Sequence, residues 1–390
     1  MSEHLVIDSI MLKPFSELPA GTKAANSKKW TDLVASFVMR FVGVGSVACD
    51  MVRYLSAHTH YDFVNFIAVD QDLAALKRSE ATTKVLLKSA GSEPAVAANA
   101  AAQHDFARLS DPADFEEVQQ LLVGSDMVLV LVDLGDRSAV GVALDLVQVA
   151  RASGALTIGI GLQPLSCDSQ ERLECAQHGL TELEAKVDAL FAIDPNQLLP
   201  QTGSNMRELH AEVNSVVLNI LLGLIEPCVE PGYICFDFSD ILTIFKGRGR
   251  AAIGFAQASG DNFVVDAVKM AVRYPLLEQV NLKKASGLLL NARVNRNFPI
   301  TNWEQISREI QEYFDEEADC KYGIVFDDHI AEDQIVISLL IAGISGGDAP
   351  KNENPMAAVR SNANSRRKVP PQVNDDGADP EMPLIFRKKV

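Results

Sequence analysis

Two stretches of this chain have the layout of a phosphate-binding turn, and a third pairs two carboxylates. Gly43-Val44-Gly45 closes an apolar strand running from Phe37 to Val44 and opens a helix pattern that ends at His58. Gly135 to Gly141 stands between the β-branched strand Met127 to Val132 and a helix whose Val142, Leu146, Val147 and Val149 form a wide apolar stripe. A loop that wraps phosphate does so with backbone N–H groups, and several of its positions need φ > 0 or an unobstructed backbone, which glycine supplies at least cost. Here Asp136, Arg137, Ser138, Ala139 and Val140 separate the two glycines of the second turn, and Ser46, Val47, Ala48, Cys49 and Asp50 follow Gly45. Non-glycine residues forced to φ > 0 cost on the order of 1 kcal/mol each, so these loops are expected to take another path. Asp50 and Asp136 also bring negative charge to the place of a phosphate. A tight turn with no ligand stands as the alternative. The third candidate is Asp237 and Asp240 after the Pro231-Gly232 turn, where carboxylates three residues apart can point to one side. Capping of a helix that starts at Ile241 is the competing role for Asp240.

The elements that must carry these residues alternate. A second strand from Phe63 to Val69 ends in Asp70-Gln71-Asp72, and strand, turn and helix repeat at Met127 and Thr157. That alternation predicts a parallel α/β sheet with sites at the carboxyl ends of its strands. From Met206 to Leu224 apolar residues keep the 3.6-residue period for five turns, which predicts a helix packed along its length and ended by Pro227, Pro231 and Gly232. Strand-like runs at Gly287 to Leu290 and Ile335 to Ile341, with a helix pattern from Trp303 to Phe314, predict an α+β second domain that ends near Ile344.

Composition narrows the function classes. With 390 residues, 47% of them apolar, the chain can bury one large core and is expected to form two domains. A formal net charge of −17 argues against nucleic-acid binding, because no basic excess is available to displace counterions from phosphates. Six cysteines without a CxxC pair suit a reducing cytosol and neither a disulfide framework nor a zinc site. No stretch is expected to span a membrane, and Met1 to Asp8 lacks the order of a signal peptide, so a cytoplasmic location is expected.

These motifs resemble those of FtsZ, the bacterial tubulin relative. The family signature GGGTGTG aligns without a gap on Gly135 to Gly141, where Gly135 and Gly141 keep the outer glycines and Ser138 lies between them. GVGGGGGNA aligns on Gly43 to Met51, with Gly43 and Gly45 kept and Ser46 and Asp50 at contact positions. Leu165 to Leu173 is similar to the family's sugar-contact loop, with Asp168 for its glutamate and Arg172 for its arginine. Asp72 matches an aspartate after the second strand, and Pro94 and Asn99 fit the third loop. On the central helix Asn214 matches the asparagine of the guanine edge, His210 stands for a stacking aromatic, and Ser215 replaces an aspartate. Cys235 to Asp240 resembles the NVDFADV loop, whose acids reach the nucleotide of the adjoining subunit and orient the attacking water, so Asp237 and Asp240 are the catalytic candidates. Ala258 to Asn262 and Tyr274 to Glu278 resemble ASGEDR and SPLLE. The resemblance covers Phe37 to Ile344.

It implies a tubulin/FtsZ-like α/β fold: a Rossmann-like nucleotide-binding domain over 37–205, a central helix over 206–226 and an α+β C-terminal domain over 227–344. An N-terminal extension precedes it over 1–36. Residues 345–378 read as a disordered linker with a reach of about 30 Å. Residues 379–390 resemble the family's C-terminal peptide, DIPAFLRK, with Met382, Pro383, Ile385, Phe386, Arg387 and Lys388 expected to dock partners of the FtsA or ZipA type. Any membrane link would then be indirect.

Three readings follow. The first is an FtsZ that binds GTP or GDP with Mg2+, hydrolyses GTP and polymerises head to tail into the division ring. The second is a divergent paralogue with weak or lost GTPase activity, a structural or regulatory subunit that joins or caps FtsZ filaments at the division site. The third, an unrelated small-molecule α/β enzyme, finds neither a Ser-His-Asp set nor a metal-ligand set. The second is favoured, because both phosphate turns changed together while the acids and tail stayed.

Overall fold

The computed structural model describes residues 37–59, 61–88, 106, 109, 111–199 and 205–344. The N-terminal extension, Pro94, Asn99, the linker and the tail lie outside the described residues.

The first half alternates as its sequence requires. Strands β1 (Met39–Val44), β2 (Val64–Asp70), β3 (Thr83–Leu86), β4 (Met127–Asp133), β5 (Leu156–Leu162) and β6 (Ala189–Ile193) pair in parallel in the order β3-β2-β1-β4-β5-β6. Their links contain helices α1 (Ser46–His58), α2 (Leu73–Arg78), α3 (Pro112–Leu122), α4 (Arg137–Ala152) and α5 (Gln170–Glu184). Alternation along a strand sends successive side chains to opposite faces. Met39, Phe41, Leu129 and Leu131 thus join one core and Val42, Val44, Val128, Val130 and Val132 another. The first core is closed by α1 and by the long helix α7 (Met206–Val229), which follows the short α6 (Pro195–Leu198); α3 and α4 close the second.

In the second half β7 (Gly232–Ile234), α8 (Phe238–Phe245), β8 (Gly249–Ser259), α9 (Phe263–Val272), β9 (Gly287–Val294), α10 (Ile300–Gln311), β10 (Asp319–Phe326) and β11 (Gln334–Ala342) follow. Their strands continue the same sheet in the order β8-β11-β9-β10-β7, with β8 joined to β6 in parallel. Helices α9 and α10 cover a third core built from Leu288, Leu290, Ile335 and Ile337. The layout is the α/β fold expected: a parallel sheet, a long central helix and an α+β second half.

Four local boundaries differ from the sequence reading. α4 starts at Arg137, so Gly141 lies inside it and the turn shrinks to three residues. The reason is Asp136, whose side chain caps that helix. α7 continues through Pro227 to Val229. A proline in the last turn forfeits a single hydrogen bond, and the helix still closes through Glu230 N–H on the Glu226 carbonyl at 2.8 Å. α8 starts at Phe238 and is capped by Asp237. α10 starts three residues before Trp303 and ends three before Phe314. α7 is also long and apolar enough, by length and composition, to cross a membrane, contrary to expectation. Most of it is buried in the protein, as a core helix must be.

Candidate functional site

Chain order reverses at β1, which lies between β2 and β4, and a crevice opens at such a switch point beyond the carboxyl ends of the strands. Both glycine turns end there. At the first, Gly45 has φ +84° and donates its N–H to the Val69 carbonyl at 3.0 Å. Gly43 lies in the strand, where an added Cβ would come within 2.6 Å of Val52 Cγ2 and 2.9 Å of the Ala48 carbonyl oxygen. Both glycines therefore serve packing and turn geometry, with or without a ligand. Ser46 Oγ donates to Asp70 at 2.8 Å, and Asp50 pairs with Arg78 at 3.3 Å on the surface. Asp72 caps α2 through the Ala74 N–H at 2.8 Å. Cys49, where the family pattern has glycine, is buried, and burial followed by the field of Asp70 pushes its thiol up to about 12. It is packing, not a nucleophile.

Backbone donors decide what the second turn can bind, and most of them are already used. Gly135 N–H donates to Asp133 Oδ1 at 2.8 Å, and Asp136 N–H to the Asp133 carbonyl at 3.2 Å. Ser138 and Ala139 N–H both donate to Asp136 Oδ1, at 2.9 and 3.1 Å. Arg172 does not reach outward either. Its Nη2 donates to Asp133 Oδ2 at 2.9 Å, its Nε lies 3.8 Å from Asp168, and the guanidinium covers Gly135 so closely that a Cβ there would meet Nη2 at 2.8 Å. Burial works against its charge, but the bond to Asp133 and the fields of Asp133, Asp168 and Asp136 outweigh it and raise its pKa. Asp168 also closes its own loop by accepting from Leu165 N–H at 3.1 Å. The sequence singled out Arg172 and Asp168 but missed Asp133 and Asp70. Each is the acid that ends a strand flanking β1 at the switch point, and that was the signal available.

The helix candidates are on the first turns of α7. His210 is exposed, Asn214 is half-buried and Ser215 is buried. α7 runs from this end of the sheet to the other, since Glu230 at its far end accepts from the Tyr61 hydroxyl at 2.8 Å just before β2 begins. Among the described residues no group of three or more His, Cys, Asp or Glu side chains is arranged to hold a metal ion. The donor set of the second turn therefore does not fit a polyphosphate: the Gly135, Ser138 and Ala139 amides are spent on carboxylates and Arg172 on an aspartate.

Asp237 and Asp240 are at the opposite end. Phe238 beside them packs on Phe37, just before β1, with ring centroids 5.0 Å apart. β1 itself, at roughly 3.3 Å per residue, separates this point from the glycine turns by about 20 Å. The two acids form a capping box: Asp237 Oδ1 accepts from Ser239 and Asp240 N–H at 2.8 and 3.2 Å, while Asp240 Oδ2 accepts from Asp237 N–H at 3.1 Å. The other Asp240 oxygen meets Lys321 Nζ at 2.8 Å. A bond from the Ser239 hydroxyl, followed by the amides, holds the Asp237 carboxyl below its ordinary value. A buried cluster just behind this loop escaped the sequence reading altogether. Glu226 of α7 bonds Arg293, which also pairs with Asp327 at 3.3 Å, and Asn291 Nδ2 donates to Glu226 at 3.2 Å.

A parallel half-sheet with twin turns at its switch point, a long helix crossing to the other end and an α+β second half make this a tubulin-like fold. The FtsZ of M. jannaschii matches it with a TM-score of 0.69 at 23% identity, covering 80% of this chain and 93% of that one. CetZ2 from Haloferax volcanii, solved as a GTPγS-bound protofilament, matches with a TM-score of 0.63 at 18% identity over 83% and 98% of the two chains. In sequence, residues 249–345 match the FtsZ family, C-terminal domain. The cell division protein FtsZ of Coxiella burnetii is 28% identical over 316 residues, 80% of this chain and 81% of its own length. That of Pseudomonas aeruginosa is 28% identical over 315 residues, 80% and 79%. Similarity to FtsZ thus runs over about four fifths of the chain, and residues 249–345 match that family's C-terminal domain.

Proposed function

We propose that this chain is a cell-division filament protein that works as a structural or regulatory subunit, in the cytoplasm at the division site, with GTP hydrolysis weak or lost. The observation that carries this reading is the contrast between its two ends. At the second turn of the switch point the backbone donors that a phosphate needs are consumed by Asp133 and Asp136, whereas Asp237 and Asp240 keep an ordered turn about 20 Å away. Groups so far apart in one chain can meet only between copies, and the likeness of Cys235 to Asp240 to the family's subunit-contact loop supports association with itself or with an FtsZ. A matching FtsZ of M. jannaschii was solved as an empty dimer. Lys321 on Asp240 weakens the case for hydrolysis further, since a carboxylate neutralised by an ammonium polarises water less.

Partners of the FtsA or ZipA type would dock on Met382, Pro383, Ile385, Phe386, Arg387 and Lys388 of the tail, and burial of the apolar three supplies roughly 1.5 to 3 kcal/mol per side chain. The double change Ile385→Ser, Phe386→Ser should release the protein from the division site. GTP turnover by the purified chain, with co-sedimentation alongside an FtsZ, tests the central reading. Negligible turnover and altered FtsZ polymer are expected. Steady GTP turnover abolished by Asp240→Ala would overturn it in favour of an active FtsZ that uses GTP or GDP with Mg2+.

A further inference from the structure

We infer that the Asp136 carboxylate is a built-in substitute for a bound phosphate, so that the switch-point turns hold their shape without a nucleotide; this rests on the reading above of a chain with weak or absent GTP hydrolysis. An ordinary N-cap uses one side-chain oxygen on its own helix. Asp136 does that with Oδ1, on Ser138 and Ala139 N–H. Its Oδ2 is directed to the other turn, 3.7 Å from where a Cβ on Gly45 would stand. Gly45 opens α1, whose N-terminus has no side-chain cap of its own. One carboxylate therefore stands between two helix N-termini, each carrying partial positive charge. The neighbouring groups complete the substitution. Asp133 takes the Gly135 N–H with one oxygen and the Arg172 guanidinium with the other, so amide and arginine are satisfied within the chain. The regulatory consequence is that the filament-facing surface at this end has one state, which no nucleotide switches.

Thermal unfolding of the full chain with and without millimolar inorganic pyrophosphate tests this. The wild type should not respond. Asp136→Ala should melt several degrees lower, and pyrophosphate should restore much of the loss, because the vacated amides and helix termini then accept an anion. A residue that merely caps α4 would give the same loss with no restoration. If Asp136→Ala fails to fold, Asp136→Asn keeps a capping oxygen and drops the charge, and it should bind pyrophosphate about tenfold more tightly than the wild type in calorimetry. Absence of any pyrophosphate response in both variants, with wild-type GTP turnover still negligible, overturns the inference and leaves the proposed function standing. Pyrophosphate binding by the wild type as tight as by the variants overturns the inference and speaks against the loss of nucleotide use as well.

Discussion

The two ends of the sheet solve the same local problem, a strand handing over to a helix, with different chemistry. At the switch point one carboxylate caps α4 and faces the adjacent turn, and a second ties down an arginine. At the far end two carboxylates cap each other's backbone, and a lysine takes the remaining oxygen. Both turns are satisfied from within the chain. The difference is exposure: the Asp136 network fills the second turn at the switch point, whereas Asp237 is exposed to solvent. An acidic residue beside a family site is therefore not informative by its type alone. Which donors it consumes decides whether a ligand can enter.

That comparison can be broken first through the element joining the two ends. Arg293→Met leaves the buried Glu226 and the half-buried Asp327 without their cation, a change that typically costs about 3–5 kcal/mol at a buried pair. Urea denaturation should detect it, and a loss below about 1 kcal/mol would mean that the pair does not anchor α7.

A smaller effect distinguishes the two glycines of the crevice. Gly43→Ala drives a Cβ into Val52 and the Ala48 carbonyl, where backbone cannot yield, and should cost about 1–3 kcal/mol. Gly135→Ala meets only the far end of the Arg172 side chain, which can shift at the expense of its bond to Asp133, so it should cost less. Equal losses in chemical denaturation would show that both turns are set by backbone packing and that Arg172 is no more yielding than a carbonyl.

The smallest effect is at the exposed acid turn. Asp237→Ala should lower stability by about 1 kcal/mol through loss of the cap. Because the folded carboxyl titrates below its ordinary value of 3.8, its contribution is fully present above that value and is lost as pH falls through the folded one. Asp237→Asn keeps a capping oxygen and should flatten this acid limb slightly, since solvent screens an exposed group. An unchanged acid limb would remove Asp237 from the charges that matter.

The alternation of strands and helices, the packed helix α7 and the placement of both glycine turns were legible because periodicity and glycine spacing are local properties. The start of α4 was not. Matching Gly135 and Gly141 to a family loop implied seven loop residues, whereas Ala139 and Val140 continue a helix as soon as Asp136 has capped it. Pairings distant in sequence were out of reach as well. Arg172 meets Asp133 across 39 positions and Arg293 meets Glu226 across 67, and no spacing rule joins them. The competing role for Asp240 was misassigned by one turn: capping does occur there, but Asp237 supplies the cap.

The seam between the halves has a mechanical consequence. β6 and β8 share three residue pairs, Ala189 with Gly249, Leu190 with Arg250 and Phe191 with Ala251, whereas β8 and β11 share nine. The three-rung ladder has fewer hydrogen bonds for a twist to distort than the nine-rung one, so the core around α7, which packs on both halves, must brace the seam. Two ionic braces flank it: Arg250 on Glu184 at 2.9 Å and Lys246 near Asp188 at 4.0 Å. The Arg250–Glu184 brace is half-exposed and stiffens this seam in a salt-dependent way, whereas Asp188 is buried and its pairing with Lys246 is screened less.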